Sequence, residues 1–433
     1  MTTYRLNEYG IHPDEQRVQT RELQALIDRC GKENGGTVVF PPGVYVTGTL
    51  NLCDNLTLEL EKGAVLAGST SDADYPLHNP SPIPFYEGRN GIRALLFALG
   101  VRNLKLRGRG TINGRSDQFK GECFRTTRPR VIWFGNCENI EVSDLIMLNS
   151  NYWMQHYIQC RNIRLKGLTV RTHNCQNNDG IDIDSCSDVE ISHCIIDSGD
   201  DSICLKCGTE QPCTDVYVHD CITSSYHANF KMGTETLGGF RHIRVENLTM
   251  VPSAALKHNQ KGNWPGYVGV AIATVDGAFL EDVEIRNISV CGMLVPLLLR
   301  LGDRRRGILG EEDGGNPPSH YRDVAVRNLH AVNADIRGCY ICGLKDHPME
   351  NITLEDIYIE FAGKPHPEWK DIFVPEAEKI SPCTTAFGDD GLPAFLYFRD
   401  IVNLKLNRVE IIKPYGDDRP DWLQVRCKAE KRK

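Results

Sequence analysis

Hydrophobic positions follow helical spacing near the start of this chain and almost nowhere else. Leu23, Leu26, Ile27 and Cys30 recur at i, i+3, i+4 and i+7, which predicts an amphipathic helix over 20–30. Thr20 is placed to cap its start, and Gly31 with Gly35–Gly36 ends it. The stretch TVVFPPGVYVTGTL then reads as strand, turn, strand. Beyond it one phrase returns repeatedly. A polar residue is followed by an aliphatic, any residue, an aliphatic, two or three polar residues and an aliphatic pair. Copies include RNLKLRG at 102–108, ENIEVSDLIM at 138–147, RNIRLKGLTV at 161–170, SDVEISHCII at 187–196, RHIRVENLTM at 241–250 and ENITLEDIYI at 350–359.

Taking the first aliphatic as register, Ile140, Ile163, Val189, Val216 and Ile243 are separated by 23, 26, 27 and 27 residues. A period in the twenties built from short β runs predicts a β-solenoid in which each copy is one coil. Three residues before the register lie Cys137, Cys160, Cys186 and Cys213, then Phe240, Leu280, Tyr321 and Met349; five after it lie Leu145, Leu168, Cys194, Cys221, Leu248, Ile288, Leu329 and Ile357. Such columns suit inward side chains stacked coil over coil, with cysteine serving as a small hydrophobe. The expected layout is a single all-β domain over 1–433: a cap to about residue 35 whose helix covers an open end, coils over about 36–412, and a tail from 413. The period breaks at 252–268, 303–320 and 363–395, which are expected to emerge as loops walling a groove, with Trp264 and Tyr267 as sugar-stacking candidates.

Composition narrows the function. A chain of 433 residues with net charge −8 gives no sign of a nucleic-acid or anionic-membrane surface. No stretch reaches the apolar length of a membrane helix, and the start, MTTYRLNEYGIHPDEQ, lacks the apolar run of a secretory signal. Seventeen cysteines, an odd number, then read as reduced thiols and the location as cytoplasmic. Cys204 and Cys207 have no partner pair at matching spacing, so that pair is not read as a metal site, and no cofactor is expected.

The chemistry concentrates at Gln176–Lys206. Asp179 precedes one alternating run, and Asp200 and Asp201 precede the run SICLK one coil later; His227 precedes NFKM one coil beyond that. Adjacent strands lie about 4.8 Å apart, so equivalent positions on successive coils converge. Clustered carboxyls repel and raise at least one pKa, and a protonated acid beside an ionised carboxylate is what glycosidic cleavage requires. Asp182 and Asp184, inside IDID, read as ordinary strand residues. Lys206 and Lys231 occupy equivalent runs and can bind substrate or stand as solvated strand lysines; His156, one coil before Asp179, is a further subsite candidate. Calcium binding, as in solenoid pectate lyases, is another use of clustered aspartates.

NNDG at 177–180, GDD at 199–201 before SICLK, and a histidine before KMGTE at 231–235 together resemble the signatures of glycoside hydrolase family 28, the polygalacturonases and rhamnogalacturonases. The resemblance runs from GGTVVFPPGVY to about residue 412. It implies a right-handed parallel β-helix and metal-independent, inverting hydrolysis of α-glycosidic bonds in pectin-derived saccharides. It also implies Asp200 as general acid, Asp179 and Asp201 holding the attacking water, and His227 assisting the acid and contacting substrate. Two departures stand out. HAN replaces the usual glycines beside the histidine, and Ala271 and Ala273 stand where polygalacturonases carry an Arg and a Lys that grip the substrate carboxylate. The expected substrate is therefore a galacturonide or a rhamnogalacturonan-type oligosaccharide, cleaved in an exo mode. The competing readings are a lyase or epimerase on the same scaffold and a non-catalytic carbohydrate-binding solenoid.

Overall fold

A computed structural model describes residues 2–120, 128–255, 266–308, 310–311, 317–381 and 391–428. The fold is a parallel β-helix. Packing divides the chain at the Asp200–Asp201 bond into two compact units.

In the first unit the helix Thr20–Lys32 buries Leu23, Leu26, Ile27 and Cys30 against the opening strands. Its N-cap is Gln19 rather than Thr20. The Thr20 hydroxyl is used elsewhere, accepting the amide of Gly48 at 2.7 Å. The strand Thr2–Arg5 pairs with Gly36–Phe40 in parallel, which satisfies that strand's outer edge. The expected register is realised: Leu104, Ile140, Ile163 and Val189 are consecutive parallel partners. A second face is built from Arg130–Gly135, Gln155–Ile158 and Ile181–Asp184, where His156 pairs with Asp182.

In the second unit Val216, Ile243, Val283, Val324, Ile352 and Leu404 form the same ladder. Its other face runs through Ile203–Cys207, Ala228–Thr236, Val268–Thr274 and Val295–Leu301, pairing Lys231 with Ala271 and Ala271 with Leu298. The strand Trp422–Val425, inside the stretch expected to be tail, pairs with Leu396–Arg399 and adds one more rung.

Two bends per coil explain why a polar residue recurs at fixed places in the phrase. The residue before the register aliphatic has φ between +53° and +59° at Asn103, Asn139, Asn162, Asp188, Asp215, His242, Asp282, Asn351 and Asn403. Four residues after the register, Asp144, His193, Asp220, Asn247, Asn287 and Asp356 are left-handed as well. Only glycine and short polar side chains such as Asn and Asp enter this region readily. In the first unit the side chains at the first bend also form a ladder: Asn162 donates to Asn139 (2.8 Å), Asn139 to Asn103 (2.8 Å) and Asn103 to Asn55 (2.7 Å). The predicted cysteine columns are buried, and all fifteen described cysteines are free thiols. Cys204 and Cys207 donate to the carbonyls of Gly233 and Gly239, so both act as packing groups.

Candidate active site

Two turns of the first unit carry Asp179 and Asp200. Asn178, fully buried, ties them together. Its amide donates to Ser150 O (2.7 Å), its side-chain oxygen accepts from the amide of Cys175 (2.6 Å), and its own carbonyl accepts from the amide of Asp200 (3.3 Å). The carbonyl of Asp179 accepts from Met154 at 2.9 Å, and the Asp179 side chain is buried. Gly199 fits between these turns because a Cβ there would lie 3.2 Å from Thr172 O and 3.3 Å from the Asn178 Cβ. Ser198 Oγ closes the second turn on the carbonyl of Asp200 at 2.8 Å. Asp200 itself is half-buried. His156 lies in the core of this unit, 3.4 Å from Asp184 and packed between the rings of Phe85 and Trp153.

The second unit opens on Asp201, whose side chain is only 2% exposed. Its two oxygens take different partners: His227 Nδ1 lies 2.8 Å from Oδ1, and Lys231 Nζ donates to Oδ2 at 2.7 Å. Burial pushes the Asp201 carboxyl up, but the charges of Lys231, His227 and Lys206, with the His227 hydrogen bond, outweigh it and hold the group well below the usual carboxylate range. Asp201 is thus an ionised carboxylate of the kind that glycosidic cleavage requires. The neighbours of Asp201 include two lysines, and cations decide its state.

His227 is fixed through its amide on Ser225 Oγ (2.8 Å) and its carbonyl to Val268 (2.8 Å), with the ring of Tyr267 5.7 Å away. The HAN departure is accommodated inward. Ala228 packs with Val268 and Ala271, and Asn229 is fully buried. Oriented with its amide nitrogen toward Thr223, Asn229 donates to Thr223 O (2.7 Å) and Oγ1 (3.0 Å).

Neither lysine is a solvated strand residue. Lys231 is committed to Asp201, and Lys206, 3% exposed, points at Glu235 at 3.4 Å. Ala271 and Ala273 are buried too. Trp264 lies outside the described residues. Sequence reasoning missed Glu235 and the arginines that reach it. Arg306 Nη2 donates to Glu235 Oε1 (3.2 Å), while Arg304 makes a double contact with Asp276 (2.8 and 2.6 Å). Glu235 was visible inside KMGTE and the arginines inside the 303–320 insertion, but 71 residues separate Glu235 from Arg306 and no repeat spacing links them.

Comparison with known proteins gives this arrangement a family. The family described as "Glycosyl hydrolases family 28" matches residues 30–295, a span that includes Asp179, Asp200, Asp201 and His227. A "Probable polygalacturonase" of Vitis vinifera is 28% identical over 391 residues, covering 83% of this chain and 74% of that protein. An "Exo-poly-alpha-D-galacturonosidase" of Dickeya chrysanthemi is 22% identical over 56% of this chain and 49% of its own length. The same fold is seen in the crystal structure of an exopolygalacturonase from Thermotoga maritima, with TM-score 0.69 at 20% identity over 83% of this chain and 87% of that one. The chain belongs to family 28 of the glycosyl hydrolases and is a glycoside hydrolase.

Proposed function

We propose that this enzyme hydrolyses α-glycosidic bonds of pectin-derived saccharides with inversion, releasing units from the end of oligosaccharides of galacturonide or rhamnogalacturonan type. Asp200 is the general acid: its proton passes to the glycosidic oxygen as the bond to the anomeric carbon breaks. Asp179 and Asp201 are the carboxylates that orient water on the opposite face of the sugar and take up its proton. His227, bonded to Asp201, positions that carboxylate and contacts substrate; Lys206, Lys231 and His156 support the subsites as ion-pair and packing partners. The observation that carries the reading is the Lys231–Asp201–His227 group, which keeps ionised a buried carboxylate that is next in sequence to the proposed acid. Relatives called polygalacturonase and exo-galacturonosidase support the substrate class. The stacked, buried cysteines fit a reducing compartment, and we place the enzyme in the cytoplasm on that ground.

The test is a panel of pectic oligosaccharides followed by NMR. The expected first product is the inverted anomer, and no unsaturated, ultraviolet-absorbing sugar should form. A retained anomer or an unsaturated product would overturn the mechanism. Asp200→Asn should lower turnover by about 10²–10⁴-fold, the usual contribution of a positioned general acid.

A further inference from the structure

Arg128 stands two residues before the strand Arg130–Gly135, whose first amide is anchored on Arg93 O at 3.0 Å. Its guanidinium is buried and joins two turns of the first unit. Nη1 donates to Asn151 O at 3.2 Å and to Gln176 O, and Nη2 donates to Asn177 Oδ1 at 3.3 Å. The ring of Tyr152 lies against it, with its centroid 4.6 Å from the guanidinium carbon. Gln176 and Asn177 lead directly into Asn178 and Asp179. Asn178 bridges the same two turns from the buried side, donating to Ser150 O at 2.7 Å and Tyr152 O at 3.3 Å. Its carbonyl accepts from the amide of Asp200, and the carbonyl of Asp179 accepts from Met154. The earlier turn is fixed in its own right, because the Asn151 side-chain amide donates to Gly114 O at 3.0 Å.

The outer limb of the later turn has little burial to hold it. Gln176 is exposed, and Asn177 is half-buried with φ of +55°. A planar guanidinium carries five donors in a rigid fork and serves several acceptors at once, whereas an ammonium on a flexible stem acts as a point charge. Arg128 uses that fork to lock the outer limb onto the fixed turn at 151. A displacement of about 1 Å at a reacting group can cost about 100-fold in rate. We propose that Arg128 is a positioning residue for the hydrolysis: by holding the turn at 176–177 it sets the place of Asp179 and, through Asn178, of Asp200. The inference rests on the roles given above to Asp179 and Asp200 and adds the group that fixes their geometry.

The test compares Arg128→Met and Arg128→Lys with the unaltered enzyme on the pectic panel, at a temperature where thermal unfolding shows each protein folded. Arg128→Met should lower kcat by about 100-fold with KM little changed, the mark of a displaced reacting group. Arg128→Lys should recover only part of the rate, because one ammonium cannot span both turns. In Arg128→Ala, added guanidinium ion should restore part of kcat, and sodium chloride at the same ionic strength should not. Amide hydrogen exchange gives a readout free of turnover. Peptides holding the amides of Cys175 and Asp200 should exchange faster in Arg128→Met, while those through Ile140 and Ile163 keep their protection. An unchanged kcat, a loss confined to KM, full recovery by lysine, or unaltered exchange at Cys175 and Asp200 overturns the proposal. If the unaltered enzyme cleaves none of the panel, the functional reading fails, and exchange at those two amides still decides whether Arg128 holds the turn.

Discussion

Lys231 decides the state of Asp201 because desolvation and charge oppose each other there. Removing the lysine leaves desolvation in command, so Lys231→Met should raise the Asp201 pKa. The acid limb of the kcat/KM profile should then move to higher pH, and the protein should lose about 3–5 kcal/mol, the usual penalty for stranding one member of a buried pair. An unmoved acid limb would separate Asp201 from the rate. Glu235 makes a second, independent prediction. Its folded pKa of about 2 lies below the roughly 4.3 of an unfolded glutamate. Its contribution to stability is therefore full above about pH 4.3 and is lost as pH falls through about 2. Glu235→Gln should be less stable than the parent at neutral pH, with the difference shrinking between about pH 4 and pH 2 in urea titrations. A constant difference across that window would show that Glu235 is not held ionised by its cations.

At the scale of the coil, much was legible because inward residues repeat in a fixed phrase. The register through Ile140, Ile163 and Val189 in one unit and Val216 and Ile243 in the other is the one that the spacing predicts. The pairing of Asp201 with His227 followed the same logic, since equivalent places on consecutive coils must meet. The reason for the polar residue before each register position was not legible, because a strand pattern does not report a sign of φ. Nor was the Glu235–Arg306 contact, because loop excursions leave the repeat and their direction is set by packing. The bend itself can be tested at Asn162, where φ is +53° and the side chain continues the asparagine ladder. Asn162→Ala should lose about 1–2 kcal/mol from left-handed strain and about 1 kcal/mol from the hydrogen bond. Asn162→Gly removes the strain and should recover the first part only. Equal losses in urea unfolding would mean that the backbone conformation carries no cost at this bend.

Across the molecule, each unit covers part of its own catalytic-side sheet with a segment that leaves the coil. In the first, Ile83 and Phe85 pack over Phe97, Trp133 and Trp153, and His78 stacks on Phe97 at 4.1 Å. In the second, Val374 and Leu392 close over Leu298, Tyr340 and Tyr397. That second cover is tied down by two buried arginines on the strands either side of Cys339–Cys342. Arg300 donates to the carbonyls of Ser381 (2.9 Å) and Ala377, and Arg399 to those of Val374 (2.9 Å) and Pro375 (3.1 Å). A polymer laid along a covered sheet would have to displace these segments, whereas a chain end need not, and this favours release from an end. Arginine is suited to the tie because one guanidinium spans several carbonyls at once. The combined substitution Arg300→Met and Arg399→Met keeps the aliphatic bulk but removes those bonds. New protease cleavage should then appear within 372–381, and products of intermediate length should appear early in digests of long oligosaccharides, where the proposed mode of the parent yields end units only. If the segment becomes cleavable yet the product pattern stays the same, the cover does not set the mode of attack.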